Sequence, residues 1–359
     1  MILSPFFVDF IRGIFYSYSL NLKKKALIMK IKKLSILGLT LFVASTMLVA
    51  CCGTCDKPSG KWEKYEKNPV LGGGDLGTIF DISVLKTDKG YTMFSSWRPE
   101  RGIAVHYSKD GYEWTLPKLV FKPQSDDKSN WEYRINRPGV IFKDGYYHMW
   151  YTGQTGTKPL RSRIGYAKSK DGVNWERHNT FVMESTEKWE GLSLMCPHVI
   201  WDEQEKIFKM WYSGGETYEP NAIGYATSKD GINWTKYNGN PVCVPDKKYK
   251  WEQDRVTACQ VIKRENDYLM FYIGFEDIHT ARICMARSKD GITNWERFSG
   301  NPIVQPDFSQ PDSWDASATY KPYVIFDGEK WIMWYNGRIH KLRLERIGVA
   351  TYYGKDLGF

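Results

Sequence analysis

The stretch RIGYAKSKDGVNWERHN, residues 163–179, contains the pattern that decides the fold. Its Ser-Lys-Asp-Gly segment occurs four times, at a spacing of about 60 residues, beginning at Ser108, Ser169, Ser228 and Ser288. A run that starts with Met and an aromatic residue precedes each segment, and a fifth run follows the last: MFSSW (93–97), MWYTG (149–153), MWYSG (210–214), MFYIG (270–274) and MWYNG (333–337). The chain therefore contains five copies of one unit, called repeats one to five.

Each repeat is predicted to form four antiparallel strands. In repeat two, alternating apolar residues and Asp-Gly turns indicate strands at RPGVIF (137–142), YYHMWYTG (146–153), RIGYAKS (163–169) and WERHNTFVM (175–183). Four-stranded sheets repeated around an axis make a β-propeller, which leaves few strand edges exposed. We predict an all-β fold, a five-bladed β-propeller of four-stranded antiparallel blades. The alternative is a sandwich of repeated hairpins.

The two ends of the chain complement each other. Repeat five ends after its third strand, at IGVATYYGKDLGF (347–359), so its outer strand is missing. KWEKYEKNPVL (61–71) is similar to the outer strands of three other repeats, which are NWERHNTFVM (174–183), NWTKYNGNPV (233–242) and NWERFSGNPI (294–303). We predict that residues 61–71 supply the missing strand of the last blade and close the ring.

The composition indicates a large core rich in aromatic rings. Of the 359 residues, 42% are hydrophobic and 15% aromatic, which is typical of β-rich folds and of surfaces where rings stack on sugars. The net charge is +9, but basic residues greatly outnumber acidic ones only within the first 50 residues. The rest of the chain has no basic footprint for a nucleic acid, and no nucleic-acid partner is predicted.

The N-terminal segment predicts export and lipidation. Basic residues at 30–33 precede the apolar run LSILGLTLFVASTMLVA (34–50), which ends at Cys51 in a sequence that resembles a bacterial lipobox. We predict an upstream extension or long n-region at 1–28, a lipoprotein signal peptide at 29–50, lipid on Cys51, a tether at 51–60 and a catalytic propeller at 61–359. The protein is then an envelope lipoprotein of the outer membrane, on the periplasmic or the cell-surface side. An ordinary signal peptide or a single membrane anchor is the alternative.

Trp followed by an acidic residue precedes the first strand of four repeats, at Trp131-Glu132, Trp189-Glu190, Trp251-Glu252 and Trp314-Asp315. Together with the five repeats, this pattern resembles the five-bladed glycosidase superfamily, which includes glycoside hydrolase families 32, 43 and 130. The resemblance covers residues 61–359. It implies acidic catalytic residues on the innermost strands, facing an axial funnel. It says less about the reaction, because one fold supports several chemistries.

The innermost strands can be aligned on Val84, Val140, Val199, Val261 and Val324. The first ring set lies three residues earlier and comprises Asp81, Arg137, Cys196, Ala258 and Lys321. The second ring set lies one residue earlier and comprises Ser83, Gly139, His198, Gln260 and Tyr323. A strand period of two puts both sets on one face, which we expect to line the funnel. Arg137, His198, Gln260, Lys321 and Tyr323 are therefore candidate substrate-binding residues.

Asp81 is the candidate general base, because Asp81-Ile82-Ser83-Val84 resembles the Asp-Pro-x-Val stretch that carries the catalytic Asp of these families in blade one. The other expected carboxylates are missing, since the sequence has Asn136-Arg137-Pro138 and Met195-Cys196-Pro197 where family 32 has Arg-Asp-Pro and Glu-Cys-Pro. We expect the proton donor in the loop after the second strand of repeat three, at Glu216 or Glu219, with Glu190 as the reserve. The alternative for each Glu is a surface carboxylate or an ion pair with a neighbouring Arg.

Cationic side chains are expected around the same funnel mouth, namely Arg98, Arg101, Arg161, Arg163, Arg338 and His340. Arg can bind carboxylate, sulfate or phosphate through two parallel hydrogen bonds. The sequence therefore suggests an anionic glycan end or inorganic phosphate, unless these Arg only neutralise nearby carboxylates. Trp97 could stack on a sugar ring. No cofactor or metal is predicted; the family 43 resemblance leaves a central calcium near His198 as an alternative.

These features together predict a lipid-anchored glycoside hydrolase. It would release a terminal sugar, anionic in one form of the hypothesis, by inverting acid/base hydrolysis. The predicted partners are an oligosaccharide or polysaccharide and, through the lipid, the membrane. The alternatives are a phosphorylase similar to family 130 and a non-catalytic glycan-binding propeller.

Overall fold

The computed structural model describes residues 61–359, and this part of the chain is all-β, as predicted. Its strands, in chain order, are β1 (Glu63–Lys64); β2 (Ile79–Thr87), β3 (Gly90–Trp97), β4 (Gly102–Ser108) and β5 (Lys118–Phe121) in repeat one; β6 (Arg134–Lys143), β7 (Tyr146–Gln154), β8 (Ser162–Ser169) and β9 (Trp175–Arg177) in repeat two; β10 (Ser193–Asp202), β11 (Ile207–Gly215), β12 (Ala222–Ser228) and β13 (Thr235–Lys236) in repeat three; β14 (Arg255–Lys263), β15 (Tyr268–Phe275), β16 (Ala281–Ser288) and β17 (Glu296–Arg297) in repeat four; and β18 (Ala318–Phe326), β19 (Lys330–Ile339) and β20 (Leu344–Tyr353) in repeat five.

Short 3₁₀ helices connect some of these strands, at Gly74–Leu76, Arg98–Glu100, Lys188–Glu190, Lys250–Glu252 and His340–Leu342. None of the helices within residues 61–359 is long and apolar enough to cross a membrane. The predicted signal peptide, the lipidated Cys51 and the tether lie outside the described residues.

Consecutive strands of a repeat pair antiparallel, from the innermost strand outward. Neighbouring repeats also touch at single parallel pairs, Ser162 with Ser193 and Ala281 with Ala318. Repeats two and three therefore share one sheet, and repeats four and five share another, whereas repeat one forms a four-stranded sheet of its own.

The N-terminal strand lies beside the last strand of the chain. In the antiparallel pairing of β1 with β20, Glu63 is opposite Thr351 and Lys64 is opposite Ala350. The Asn68 side chain continues the contact, because its amide donates to the Val349 carbonyl at 2.9 Å and its oxygen accepts from the Val349 N–H at 2.8 Å. Residues 61–71 thus occupy the outer edge of repeat five.

The Met-aromatic runs and the Ser-Lys-Asp-Gly turns hold neighbouring repeats together. Trp150 is fully buried, and its indole N–H donates to the carbonyl of Gly231, in the turn of repeat three, at 2.8 Å. Trp211 makes the same 2.8 Å bond to Gly291 of repeat four. The turn sequence is therefore structural: its Gly adopts a positive φ, 78° at Gly231, and presents its carbonyl to the adjacent repeat.

The acidic residues of the Trp-acidic segments fasten the outer strands. All four are buried, and each pairs with a cation from the outer strand of its own repeat: Glu132 with Arg177 (2.6 Å), Glu190 with Lys236 (2.7 Å), Glu252 with Arg297 (3.1 Å) and Asp315 with Lys64 (2.6 Å). Lys64, from the N-terminal strand, takes in repeat five the place that Arg297 takes in repeat four. We call these four acids the repeat carboxylates.

Candidate active site

One cavity of about 620 Å³ brings together many of the predicted site residues. The sequence-predicted residues in its lining are Asp81, Trp97, Arg98, Arg101, Arg137, Glu219, Arg338 and His340, and the lining also includes Arg134, Arg343 and Glu345. Six arginines and three carboxylates therefore surround one space. The carboxylates, Asp81, Glu219 and Glu345, are called the cavity carboxylates.

A bulge in the innermost strand places Asp81 and Arg137 toward this cavity. All five residues of the first ring set have a positive φ, between 40° and 56°, a conformation that non-glycine residues seldom adopt. The pairing with the second strand slips at this point in every repeat. Bulges of this kind redirect a side chain and are frequent beside active sites. Asp81 and Arg137 are the members of the set that line the cavity.

The bulge also interrupts the alternation from which we expected both ring sets to line the funnel, and no residue of the second ring set lines the cavity. Polar side chains of the second ring set instead bind the innermost strand of the next repeat. Ser83 Oγ accepts from the Val140 N–H at 3.0 Å. Gln260 accepts from the Val324 N–H at 2.6 Å and donates to the Val324 carbonyl at 2.9 Å. Gln260 therefore acts between strands and does not line the cavity.

His198 and Tyr323 belong to the same inner layer and also lie outside the cavity lining. His198 Nε2 is 2.9 Å from the Val261 carbonyl, and burial lowers the pKa of this imidazole to about 4. Burial likewise raises the pKa of Tyr323. Within residues 61–359, no three His, Cys, Asp or Glu side chains are grouped as metal ligands.

Asp81 is held rigidly while one of its oxygens stays unbonded. Its side chain is only 5% exposed, and its backbone N–H donates to Asn336 Oδ1 at 3.1 Å. Arg137 Nε lies 3.4 Å from Asp81 Oδ2, yet that oxygen accepts no hydrogen bond from the described groups. A buried carboxylate oxygen without a donor is unusual in proteins and can accept a proton from a bound molecule.

Glu219 faces the other end of the same guanidinium. Arg137 Nη2 lies 3.9 Å from Glu219 Oε1, so one arginine contacts two cavity carboxylates. Burial raises the pKa of Glu219, Arg137 opposes that shift, and the charge of Asp81 adds to it. The structure thus distinguishes Glu219 from the other sequence candidates for the proton donor.

Glu216 and Glu190 lie outside the cavity lining. The Glu216 side chain is 65% exposed, and its carboxylate is 3.6 Å from Arg255. Glu190 is the repeat carboxylate of repeat three; besides Lys236 it accepts from the Tyr212 hydroxyl at 2.8 Å. Its position is explained by the repeat alone. Lys321 is buried, with no carboxylate partner within 4 Å among the described residues, and does not line the cavity either.

Glu345 is the cavity carboxylate that sequence reasoning missed. It stands near the start of β20, 2.7 Å from Arg98, and burial raises its pKa while Arg98 opposes the shift. One signal was available in the sequence. Two places before the Ile that recurs in the third strands, repeats one to four have Arg101, Ser162, Asn221 and Ala281, and repeat five has Glu345, the one carboxylate at this position.

A second groove of about 420 Å³ adjoins the cavity. It is lined by Trp189, Leu192, Glu216 and Asn221, and it shares Thr217 and Tyr218 with the cavity. The segment that carries Glu219 therefore lies between two spaces. Tyr218 is 56% exposed and offers an aromatic face at the boundary.

Comparison with known proteins matches the central repeats to a glycosidase family. The Glycosyl hydrolases family 32 N-terminal domain matches residues 132–299. An uncharacterized protein of Mycobacterium tuberculosis (strain H37Rv) is 30% identical over 199 residues, which are 53% of this chain and 62% of that protein. The 1,2-beta-oligomannan phosphorylase of Thermoanaerobacter sp. is 26% identical over 56% of this chain and 62% of its own length. The chain thus spans less than two thirds of these curated relatives.

Solved structures agree on the fold. A thermostable family-43 glycoside hydrolase aligns with a TM-score of 0.64 at 21% identity, over 80% of this chain and 93% of that one. A structure from work on GH130 hydrolases of beta-1,2 mannosidic linkages aligns with a TM-score of 0.65 at 16% identity, over 83% and 95%. The resemblance to the five-bladed propeller glycosidases is confirmed.

Against the pattern of the propeller glycosidases, the cavity keeps one expected carboxylate and replaces the others. Asp81 stands at the blade-one position, whereas Arg137 and Cys196 occupy the corresponding places in repeats two and three. The carboxylates that accompany Asp81 lie elsewhere, Glu219 in the loop after β11 and Glu345 at the second residue of β20. The fold is shared, and the positions of the acids differ from the pattern of family 32.

Proposed function

We propose that the five repeats are the blades of one propeller and that residues 61–71 close it. The Trp334 indole of repeat five donates to Gly111 of repeat one at 2.7 Å, as Trp150 does toward repeat three. Repeats five and one are thus neighbours in the same manner as repeats that follow each other in the chain. The Lys64–Asp315 pair supports the closure from the outer edge.

We propose that the chain is a glycoside hydrolase that releases a terminal sugar by single displacement with inversion. One observation carries this proposal: Asp81 and Glu219 line one cavity, with side chains 5% and 16% exposed, and contact the same guanidinium, that of Arg137. Inverting hydrolysis needs two carboxyl groups beside the scissile bond, one ionised and one protonated. A Glu whose pKa is raised by burial suits the protonated role.

The roles follow from these environments. Asp81 takes a proton from a water molecule as the water oxygen bonds to the anomeric carbon. Glu219 gives its proton to the glycosidic oxygen as the bond from that oxygen to the anomeric carbon breaks. Since Glu219 belongs to the segment between cavity and groove, the terminal sugar occupies the cavity and the leaving group extends toward the groove. The products are a free sugar of inverted configuration and a shortened glycan.

Substrates with different leaving groups test the two roles. On a panel of disaccharides and aryl glycosides, Glu219→Gln should lose about 10²–10⁴-fold in rate where the leaving group needs a proton. It should keep most of its activity on glycosyl fluorides, which need none. Asp81→Asn should lose activity on both kinds of substrate. NMR should show that the unaltered protein releases the sugar with inverted configuration. Equal loss on every substrate in Glu219→Gln would contradict the assignment.

Glu184→Gln is the matched control, since this exposed carboxylate pairs with Arg163 and does not line the cavity. Binding of glycans without turnover by any form of the protein would favour the non-catalytic alternative. Export with lipid on Cys51, as an envelope lipoprotein, stays part of the proposal and rests on the sequence of residues 29–51.

A phosphorylase is the second candidate function. Two observations favour it: two relatives are named phosphorylases, and arginines outnumber carboxylates in the cavity. Phosphate would then replace water as the nucleophile and would need no general base. Turnover that depends on inorganic phosphate and yields a sugar 1-phosphate would decide for this candidate. Turnover of the same rate in phosphate-free buffer would decide against it.

A further inference from the structure

Buried cations are costly unless an anion lies beside them, and most of those in the described part of the chain obey this rule. The buried arginines that have a carboxylate within 4 Å are Arg137 with Asp81, Arg255 with Asp254, and Arg282 with Glu276. Arg338 is equally buried, at 7% exposure, and has no carboxylate within that distance among residues 61–359. It therefore stands out among the buried arginines, and it lines the cavity.

The contacts of Arg338 are neutral and long. Its Nη1 lies 3.4 Å from the Tyr218 hydroxyl, and its Nη2 lies 3.3 Å from the His279 carbonyl. Its Nε is buried and has no hydrogen-bond partner among the described residues. The guanidinium has five N–H donors, so most of its bonding capacity is unused by the described groups. The side chain is held by neutral groups, while the charges of Glu219 and Glu345, each more than 4 Å away, help to raise its pKa.

The surroundings of Arg338 add positive charge. Arg343, four residues after the end of β19, also lines the cavity and has no carboxylate within 4 Å among the described residues. Arg98 and Arg101, in contrast, have carboxylates beside them, since Arg98 lies 2.7 Å from Glu345 and Arg101 lies 2.5 Å from Asp126. Arg134, which is exposed, also lacks a carboxylate within 4 Å among the described residues. Two of the three cavity arginines without such a partner, Arg338 and Arg343, therefore lie on the β19–β20 side of the cavity.

We propose that Arg338, with Arg343 beside it, is a binding site for an oxyanion. The ligand chemistry is that of a planar or tetrahedral oxyanion able to accept two parallel N–H bonds. Its two sources are the carboxylate of a terminal uronic acid and inorganic phosphate. The inference rests on the cavity being the substrate site, as proposed above. If the oxyanion is the carboxylate of a uronic acid, the substrate is a glycan with an acidic end.

Thermal unfolding of the full chain tests this site without any turnover. The probes are glucuronate, galacturonate and inorganic phosphate, compared with glucose, galactose and sodium chloride at matched ionic strength. The unaltered protein should gain melting temperature from an oxyanion and not from the neutral sugars or chloride. A gain from the uronates identifies a sugar carboxylate as the ligand, and a gain from phosphate alone identifies phosphate.

Arg338→Met removes the charge while keeping a side chain of similar length. It should raise the half-saturating concentration of the oxyanion at least about tenfold. It should not lower the melting temperature without ligand, because it removes a buried charge that has no carboxylate within 4 Å among residues 61–359. Arg338→Lys should restore part of the response if the methionine variant folds poorly. Arg163→Met, outside the cavity and paired with Glu184, is the matched control and should respond like the unaltered protein.

The proposal is overturned if no oxyanion raises the melting temperature, or if Arg338→Met and Arg338→Lys respond like the unaltered protein. A purely structural Arg338 would show the opposite pattern, a lower melting temperature with an unchanged oxyanion response. Because binding is measured, the site can be established even if Asp81 and Glu219 prove not to catalyse hydrolysis. Conversely, if the protein hydrolyses only neutral glycosides and no oxyanion raises its melting temperature, the hydrolase proposal stands and the oxyanion site is refuted.

Discussion

The molecule holds two sets of buried carboxylates, and they are built differently. Each repeat carboxylate has a cation of its own, supplied by the outer strand of the same repeat. Glu252, for example, is met by Arg297 and by the Tyr272 hydroxyl. Among the cavity carboxylates, Glu345 has Arg98 at 2.7 Å, but Asp81 and Glu219 share one guanidinium. Asp81 Oδ2 accepts no hydrogen bond from the described residues. The repeat carboxylates are therefore satisfied, whereas the cavity carboxylates are satisfied only in part.

This difference distinguishes carboxylates that stabilise the fold from carboxylates that are available to a substrate. A satisfied ion pair that recurs at one repeat position stabilises the fold, and its acid has no bonding capacity left for a substrate. Acids that occur once and share a counter-charge repel each other and have bonding capacity to spare. Natural proteins accept such unfavourable arrangements mainly where function needs them. The comparison thus supports the roles proposed for Asp81 and Glu219 without reference to any relative.

The largest effect should come from removing the segment that completes the architectural set. A chain beginning at residue 72 lacks Lys64, the partner of Asp315, and exposes the edge of β20. It should lose most of its unfolding free energy, which for a domain is about 5–15 kcal/mol. Urea denaturation measures this loss. A chain beginning at residue 61 is the control, and equal midpoints for the two chains would refute the closure of the ring.

The next largest effects should come from one substitution in each set of carboxylates, which should affect stability and turnover differently. Glu252→Gln leaves Arg297, buried beside it, without a counter-charge and should cost about 3–5 kcal/mol of unfolding free energy. Asp81→Asn leaves Arg137 paired with Glu219 and should change stability far less while abolishing turnover. Denaturation and specific activity of the folded fraction measure the two effects. Equal destabilisation by both substitutions would remove the distinction between the sets.

The sequence predicted the features that recur. The Ser-Lys-Asp-Gly turns, the Met-aromatic runs and the Trp-acidic segments each occupy one repeat position, so their spacing revealed the strands and their order. The alignment of the innermost strands also succeeded, because its five residues share one bulged conformation. Local alternation failed there, since a bulge with positive φ leaves no trace in a pattern of apolar residues. Gln260 and His198 were therefore expected to line the cavity, and they do not.

The cavity was predictable only in part, because two of its acids follow connections whose shape the sequence does not specify. Glu216 and Glu219 lie in one loop, and the sequence did not distinguish them; in the fold their side chains are 65% and 16% exposed. Glu345 follows the 3₁₀ turn at His340–Leu342, whose counterpart in repeat one is Arg98–Glu100. The general signal was a departure from the repeat, a carboxylate at a position where the other repeats have none.

The smallest effect should be a gain in stability from neutralising a cavity carboxylate. Burial raises the pKa of Glu219 in the folded state above its unfolded value. The stability that this group contributes is therefore fully present below its unfolded pKa and is lost as the pH rises through its folded pKa. Above that pKa the folded protein holds a buried charge. Glu219→Gln should raise the unfolding free energy there by about 0.5–2 kcal/mol, the range of single stabilising substitutions.

The pH dependence of that gain distinguishes it from a packing effect. At about pH 7.5 the variant should be the more stable protein, and at about pH 4 the difference should disappear, because both side chains are then neutral. Glu345 carries a raised pKa of the same origin in both proteins, so its contribution cancels in the difference. Urea denaturation at both pH values measures the gain. A gain that persists unchanged at the lower pH would mean that shape, not charge, is relieved at Glu219, and the contrast between satisfied and unsatisfied carboxylates would lose its physical basis.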